Sequence, residues 1–138
     1  MSALEGMVRL QRWQLDERRR QLADLELLAQ KLRDERHRLA DEEAAEQHVA
    51  AGSREAAVAY GGFARRLIER RQKLEQSLVS VEQQVAAARD ALAATYQEMK
   101  RYETVIANRA SQHRKRTNRV RQAFLDELGI QAHRRKSG

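Results

Sequence analysis

Apolar residues recur at alternating spacings of four and three along the second half of the chain. This heptad pattern continues for more than five heptads, and only Arg71 and Thr95 interrupt it. Its members are Leu67, Leu74, Leu78, Val81, Val85, Ala88, Leu92, Met99, Tyr102 and Ile106. Such a narrow stripe is typical of a coiled-coil seam and cannot close a globular core alone. It therefore predicts a partner helix along nearly its whole length.

A second seam in the first half of the chain supplies this partner. Its members are Val8, Leu15, Leu22, Leu25, Ala29, Leu32 and Leu39. The flanking stretch Asp16–Arg20 mixes acidic and basic residues at helical spacing, as expected of a solvated helix face. The pattern predicts a first helix from about residue 4 to about residue 51.

The residues between the two seams predict a turn. Gly52 is expected to take a left-handed conformation after the first helix, and Ser53 to cap the second helix. Glu55 then lies in the positively polarised first turn of that helix. A short connection forces the second helix back along the first. The predicted fold is all-α, a long antiparallel two-helix coiled-coil hairpin that forms one domain over residues 1–138.

Two registers of the hairpin satisfy the apolar pattern. A tight turn at Gly52 gives facing residue numbers that add to about 106 and pairs Leu39 with Leu67. A wider turn, broken at Gly61–Gly62, gives sums near 113 and pairs Leu39 with Leu74. The registers differ by one heptad, which periodicity alone does not resolve.

The tight turn, at residues 52–53, is the preferred prediction, with a turn that extends to residue 62 as the alternative. The tight turn places Gly61–Gly62 inside the second helix, where two adjacent glycines cost about 2 kcal/mol of helix stability. However, Ala57, Tyr60 and Ala64 continue the seam backward through Gly61–Gly62. The second helix is then expected over about residues 54–128.

The excess positive charge lies at the end of the chain. Residues 1–106 hold 18 basic and 18 acidic residues, so the net charge of +7 comes from residues 107–138, where Asp126 and Glu127 are the only acids. In either register the second helix outlasts the first, so we expect a basic helical overhang from about residue 107 to 128, followed by a frayed basic tail over 129–138. A basic end favours acidic partners, whether protein, phosphate or membrane surface.

Within the overhang the apolar seam first lapses and then returns. The seam positions after Ile106 are polar: Arg109, His113 and Arg116. Val120, Phe124, Leu125 and Leu128 then restore a short apolar stripe. No seam holds this segment on the first helix, so we expect the stripe to be available to a partner.

Several function classes are disfavoured by composition. The chain has no cysteine, and its four histidines are far apart in sequence, so neither a thiolate nucleophile nor a metal or cofactor site is expected. No catalytic constellation is recognisable, and a two-helix hairpin encloses no substrate pocket, so no enzymatic activity is expected. The sequence also lacks a signal-peptide pattern and an apolar stretch long enough for a membrane span, which places the protein in the cytoplasm.

A nucleic-acid partner is one alternative. Asn108–Arg116 superficially resembles the basic region of a leucine-zipper DNA-binding protein, but in those proteins the zipper follows the basic region, whereas here the long seam precedes it. Non-specific attraction to phosphates remains open. A third reading is a generic coiled-coil scaffold that dimerises into a four-helix bundle.

Five stretches of the chain resemble FliJ-like proteins of bacterial flagella, particularly those of the alphaproteobacterial branch. They are Arg12–Arg20, Leu22–Leu25, Ile68–Leu74, Lys100–Glu103 and Asp126–Gly129. The resemblance implies a component of the flagellar type III export apparatus, hence of motility, that resembles the central stalk of rotary ATPases. It implies a link between the export ATPase and the cytoplasmic domain of the export gate, contact with export chaperones, and a peripheral position at the inner-membrane flagellar base.

The resemblance also implies which residues meet each partner. The ATPase end comprises Arg9, Arg12, Trp13, Arg109, Arg114, Lys115, Arg116, Arg119 and Arg121, and the gate end comprises Tyr60, Phe63 and Leu67. We expect Leu67 to pack in the seam and Phe63, which lies off the seam grid, to be exposed. Trp13 and Met7 are expected to pack on the second helix near residues 99–106; if they are exposed, they become anchors for a partner.

Overall fold

Two helices account for nearly all of the chain. The computed structural model describes residues 2–137 and contains α1 (Ala3–Ala50) and α2 (Arg54–Ser137), with no strand in that range. The helices pack against each other, which confirms the predicted all-α hairpin. Contacts group the residues into two units: a hairpin unit, Gln14–Ala94, and a terminal unit, Met1–Trp13 together with Thr95–Gly138.

The turn between the helices is tight and is capped on both sides. The Gly52 N–H donates to the Val49 carbonyl at 3.0 Å, which closes the end of α1 with a tightened final turn. The Ser53 Oγ accepts a hydrogen bond from the Ala56 N–H at 3.0 Å, so the predicted N-cap is confirmed. Glu55 lies in the first turn of α2, as predicted. The left-handed conformation predicted for Gly52 is wrong, because no described glycine has a positive φ.

Helix α2 is longer and less interrupted than its glycines predicted. It runs unbroken through Gly61–Gly62, so a turn that reaches residue 62 is wrong. It also continues to Ser137 through the stretch for which a frayed tail was predicted. Gly129 is the only glycine between Gly62 and Ser137, and most residues after it are helix formers such as Gln, Ala, Arg and Lys. Gly138 lies outside the described residues.

Ion pairs between α1 and α2 decide the register. In each pair the residue numbers add to between 111 and 115, so the predicted sum near 106 is wrong and the alternative near 113 describes the offset. The pairs are Arg12–Glu103, Glu26–Arg89, Arg33–Glu82, Arg36–Glu75, Glu42–Arg70 and Glu43–Arg71. A tight turn therefore coexists with the register predicted for a wider one.

The core of the hairpin unit is a line of interdigitated aliphatic side chains. Ala29, with 1% of its surface exposed, packs against Val81 and Val85. Farther along, Leu39 packs with both Leu67 and Leu74, its partners in the two predicted registers. Facing side chains of a coiled coil interlock in this way, so one apolar residue contacts two successive seam positions of its partner. Apolar pairing alone therefore did not identify the register.

The two long helices have no membrane-spanning character. No helix among residues 2–137 is both long and apolar enough to cross a membrane. No polar side chain is buried in that range either.

Candidate partner-binding surfaces

Near the turn, the hairpin unit carries a partly buried aromatic pair. The rings of Tyr60 and Phe63 lie with centroids 6.2 Å apart at an angle of 38°. Phe63 is half-buried and packs on the cluster of Leu39, Leu67 and Leu74, so the expectation that it is exposed is wrong. It lies four residues before Leu67, about one helical turn, and therefore on the same face. Leu67 is 2% exposed and packs in the seam as expected.

In the terminal unit, Trp13 faces solvent. Its side chain is 63% exposed, and Met7 is also exposed, so the predicted packing of both residues on α2 is wrong. Trp13 follows the buried Val8 by five residues and precedes the buried Leu15 by two, which turns it to the opposite side of α1. An exposed tryptophan is the residue type most enriched at binding hot spots. Trp13 is thus available as an anchor for a partner.

A small ionic network joins α1 to α2 beside this surface. Glu103 accepts hydrogen bonds from Arg12 at 3.3 Å and from Lys100 at 3.1 Å. The Lys100 ammonium also lies 5.5 Å from the centroid of the Tyr96 ring. The hydrogen bond from Lys100, followed by that from Arg12, holds the pKa of Glu103 below its ordinary value. The same carboxylate raises the pKa of Lys100.

We expect a matching acid dependence of this network. Because the pKa of Glu103 is lowered by folding, its contribution to stability is present above the ordinary glutamate pKa and is lost as the pH falls through the lowered value. A carboxyl-carbon NMR titration should give Glu103 a pKa below the ordinary glutamate value. In the Lys100→Met variant the pKa of Glu103 should rise, because the main hydrogen-bond donor is gone. An unchanged pKa in that variant would contradict the assignment.

Arg9 and Arg12 contribute to an open depression at the same end of the hairpin. Val8 and Ile106 form its apolar floor, and Glu103 lies at its edge. The structure therefore brings two of the predicted ATPase-end residues against α2. Arg9 has no ion-pair partner among the described residues, whereas Arg12 is paired with Glu103.

The basic overhang differs from the rest of the chain in its charge pairing. Every residue from Gln112 to Ser137 is exposed. All ion pairs found in residues 2–137 lie between Arg12 and Glu103, and none involves an overhang residue. The predicted contacts on this segment are Arg109, Arg114, Lys115, Arg116, Arg119 and Arg121. They are solvated and electrostatically unsatisfied, as an anion-binding surface requires.

Sequence reasoning missed several apolar residues on the terminal unit. Leu10, Tyr96 and Val105 are exposed on its outer surfaces. All three lie off the heptad grid, and an apolar residue off the grid was the signal that could have identified them. Tyr96 and Val105 border a shallow groove with Lys100 and Arg101 on the back of α2.

The described residues offer no metal-binding cluster. No group of three or more His, Asp or Glu side chains between residues 2 and 137 is arranged to hold a metal ion. Several depressions on the surface are open grooves in which Arg and Glu side chains are prominent.

Comparison with known proteins identifies the family. No curated protein and no solved structure gives a significant match to the chain. The sequence profile of the family described as the flagellar FliJ protein matches residues 1–138. Because that match covers the whole sequence, the chain belongs to the FliJ family, whose members are non-enzymatic components of the flagellar export apparatus.

Proposed function

We propose that this chain is a stalk-like hairpin that couples the flagellar export ATPase to the export gate. In this proposal the terminal unit binds the ATPase and the turn of the hairpin unit binds the cytoplasmic domain of the gate. The protein acts in the cytoplasm, peripherally at the membrane-embedded flagellar base, and also meets export chaperones. The observation that carries the proposal is the contrast in charge pairing between the overhang and the paired helices.

In the paired helices, positive and negative charges are equal in number, and ten of the eighteen basic residues before residue 107 form ion pairs. Cross-helix pairs such as Arg33–Glu82 and Glu26–Arg89 neutralise the flanks of the hairpin unit. After Ile106, nine basic residues are accompanied by only two acidic ones, Asp126 and Glu127, and Asp126 already accepts a hydrogen bond from Gln122. Charges without internal partners are free to steer and orient an acidic partner. The overhang therefore supports an acidic ATPase surface as its target.

The turn region offers a different chemistry. Tyr60 and Phe63 form an aromatic pair, and Phe63 packs on the cluster that contains the buried Leu67. Aromatic side chains held by a packed core lose little entropy on binding, which suits them as anchors. Leu67 acts here through packing, and Tyr60, unlike Phe63, is not part of the packing around Leu67, so in this proposal it contacts the gate.

Continuous helices suit a coupling element. Helix α2 is an unbroken segment of 84 residues with a contour length of about 126 Å at 1.5 Å per residue. It contains no proline, and its backbone hydrogen bonds form one ladder from Arg54 to Ser137. A helix without a proline or a break in its hydrogen-bond ladder lacks the commonest causes of a sharp kink.

The proposal is tested by binding the purified chain to the export ATPase and to the cytoplasmic domain of the gate. We expect the Arg114→Glu, Lys115→Glu, Arg116→Glu triple variant to lose ATPase affinity by at least about tenfold at low salt, with gate binding unchanged. Tyr60→Ala should show the reverse pattern. Tyr60 is preferred to Phe63 for this purpose because truncation of Phe63 also removes core packing.

Matched controls are available for both variants. Lys31→Glu, Arg38→Glu, Lys73→Glu reverses the same number of exposed basic residues, none of which makes an ion pair in the described structure. Tyr96→Ala truncates an exposed tyrosine of the terminal unit. Unchanged ATPase binding by the overhang variant would refute the proposed ATPase end. Retention on DNA at physiological salt, with no binding to either protein, would favour the nucleic-acid alternative.

A further inference from the structure

We propose that the overhang is one strand of a second coiled coil, whose other strand is an acidic amphipathic helix of a partner protein. The partner helix would lie along Val120, Phe124 and Leu128, which we call the distal stripe. This inference deepens the proposed function, on which its choice of a protein partner rests. The proposed function gives only the charge of the partner; this inference adds that the binding element is a helix with acidic residues on its flanks.

The distal stripe continues the seam that α2 already uses. Val120, Phe124 and Leu128 follow Ile106 by 14, 18 and 22 residues, close to four, five and six turns of a helix with 3.6 residues per turn. They therefore face the same side of α2 as Ile106, which lines the depression against Val8 of α1. The side of α2 that contacts α1 therefore becomes apolar again at positions past Ile106, where α1 is no longer alongside.

Helix α1 does not extend far enough to cover this surface. It begins at Ala3, and Glu5 and Val8 lie beside Ile106 and Ala107. Every residue from Gln112 to Ser137 is exposed, including Phe124, with 62% of its surface accessible. A helix seated on the distal stripe would thus occupy the place that α1 leaves vacant.

The residues around the distal stripe specify the charge of the occupant. Arg121 lies beside it, at a position that flanks a coiled-coil seam and pairs with an opposite charge on the partner helix. Nearer to α1, the seam positions Arg109, His113 and Arg116 favour carboxylates over apolar residues. A second copy of this chain is a poor occupant, because it would set two overhangs with six basic residues each against one another.

The test uses a synthetic peptide, so that it does not depend on the ATPase or the gate. The peptide has four heptads with leucine at seam positions and glutamate at flanking positions; a control peptide of the same composition distributes its leucines around the helix. Binding of both to the full chain is measured by fluorescence anisotropy at physiological salt. We expect the amphipathic peptide to bind at least about tenfold more tightly than the control peptide.

Variants of the full chain locate the binding site. Val120→Ser, Phe124→Ser, Leu128→Ser should abolish the preference for the amphipathic peptide. Val58→Ser, Ile68→Ser, Val79→Ser, which changes three exposed apolar residues of the hairpin unit, should retain it. Circular dichroism should show both variants to be helical, since none of the six side chains is buried.

Three results would overturn the inference. The first is equal binding of the two peptides, which would reduce the interaction to charge alone. The second is an unchanged preference in the distal-stripe variant. The third is sedimentation of the wild-type chain as a dimer that only the distal-stripe substitutions dissociate, which would identify a second copy as the occupant. The peptide experiment does not involve the ATPase. If the chain does not bind the ATPase, the peptide result still decides whether the distal stripe binds a helix.

Discussion

The Leu67→Ala variant is expected to lose about 2 to 5 kcal/mol of its free energy of unfolding. Leu67 is 2% exposed and packs with Leu39 and Leu74, and Phe63 lies on the same cluster. Truncation removes the transfer free energy of the side chain and leaves a cavity that the surrounding side chains close only in part. Urea unfolding followed by circular dichroism at 222 nm measures the change.

The adjacent Ile68 provides the control for this prediction. Its side chain is 51% exposed, so Ile68→Ala should change the free energy of unfolding by no more than about 0.5 kcal/mol. The two substitutions are neighbours on one helix and differ mainly in burial. Equal losses in both variants would mean that Leu67 does not lie in the seam. When gate binding is measured alongside stability, the same two variants show whether a loss of binding comes from unfolding or from a lost contact.

The Gly61→Ala, Gly62→Ala double variant is expected to be more stable than the wild type by about 1 to 2 kcal/mol. Both glycines are helical with ordinary φ, and a Cβ added at either meets no atom within 4 Å. Alanine therefore fits without a clash and reduces the conformational entropy of the unfolded chain. The increase should appear as a higher urea midpoint with an unchanged slope.

Gly52 is the matched control for the glycine pair. A Cβ at this position would come within 3.3 Å of the Val49 carbonyl oxygen, so Gly52→Ala should give no comparable gain. A loss of stability in the double variant would show that the glycines at 61 and 62 serve a conformation other than the helix. A gain restricted to the double variant would establish that the helix through them is the native state.

The charge distribution of the chain separates a structural role from a binding role. Between Arg12 and Glu103, cross-helix ion pairs such as Arg36–Glu75 and Arg70–Glu42 hold the two helices in register. Outside that range no basic residue of the described structure forms an ion pair. Reversing paired and unpaired charges should accordingly affect different properties: the former the stability of the hairpin and the latter the affinity for a partner.

Much of the candidate site was predictable from sequence because it depends on local chemistry. The excess of basic residues after Ile106 and the return of an apolar stripe at Phe124 are countable in the sequence. The orientations of Phe63 and Trp13 were predicted wrongly, because the strict heptad grid does not assign a side to residues between its positions. Helical spacing from Leu67 and from Val8 accounts for both orientations once those two residues are known to be buried.

The sequence by itself determined the two helices, the capped turn at Ser53, the hairpin topology and the position of the unpaired charge. Heptad spacing and end-capping act within a few residues, so they are readable without a fold. Only the tertiary structure decided the register and the helical state of Gly61–Gly62. A shift of one heptad still places apolar residues opposite apolar residues, so the seam does not fix the register. The offset is distinguished by charged pairs such as Arg33–Glu82, which form only when both helices are in place.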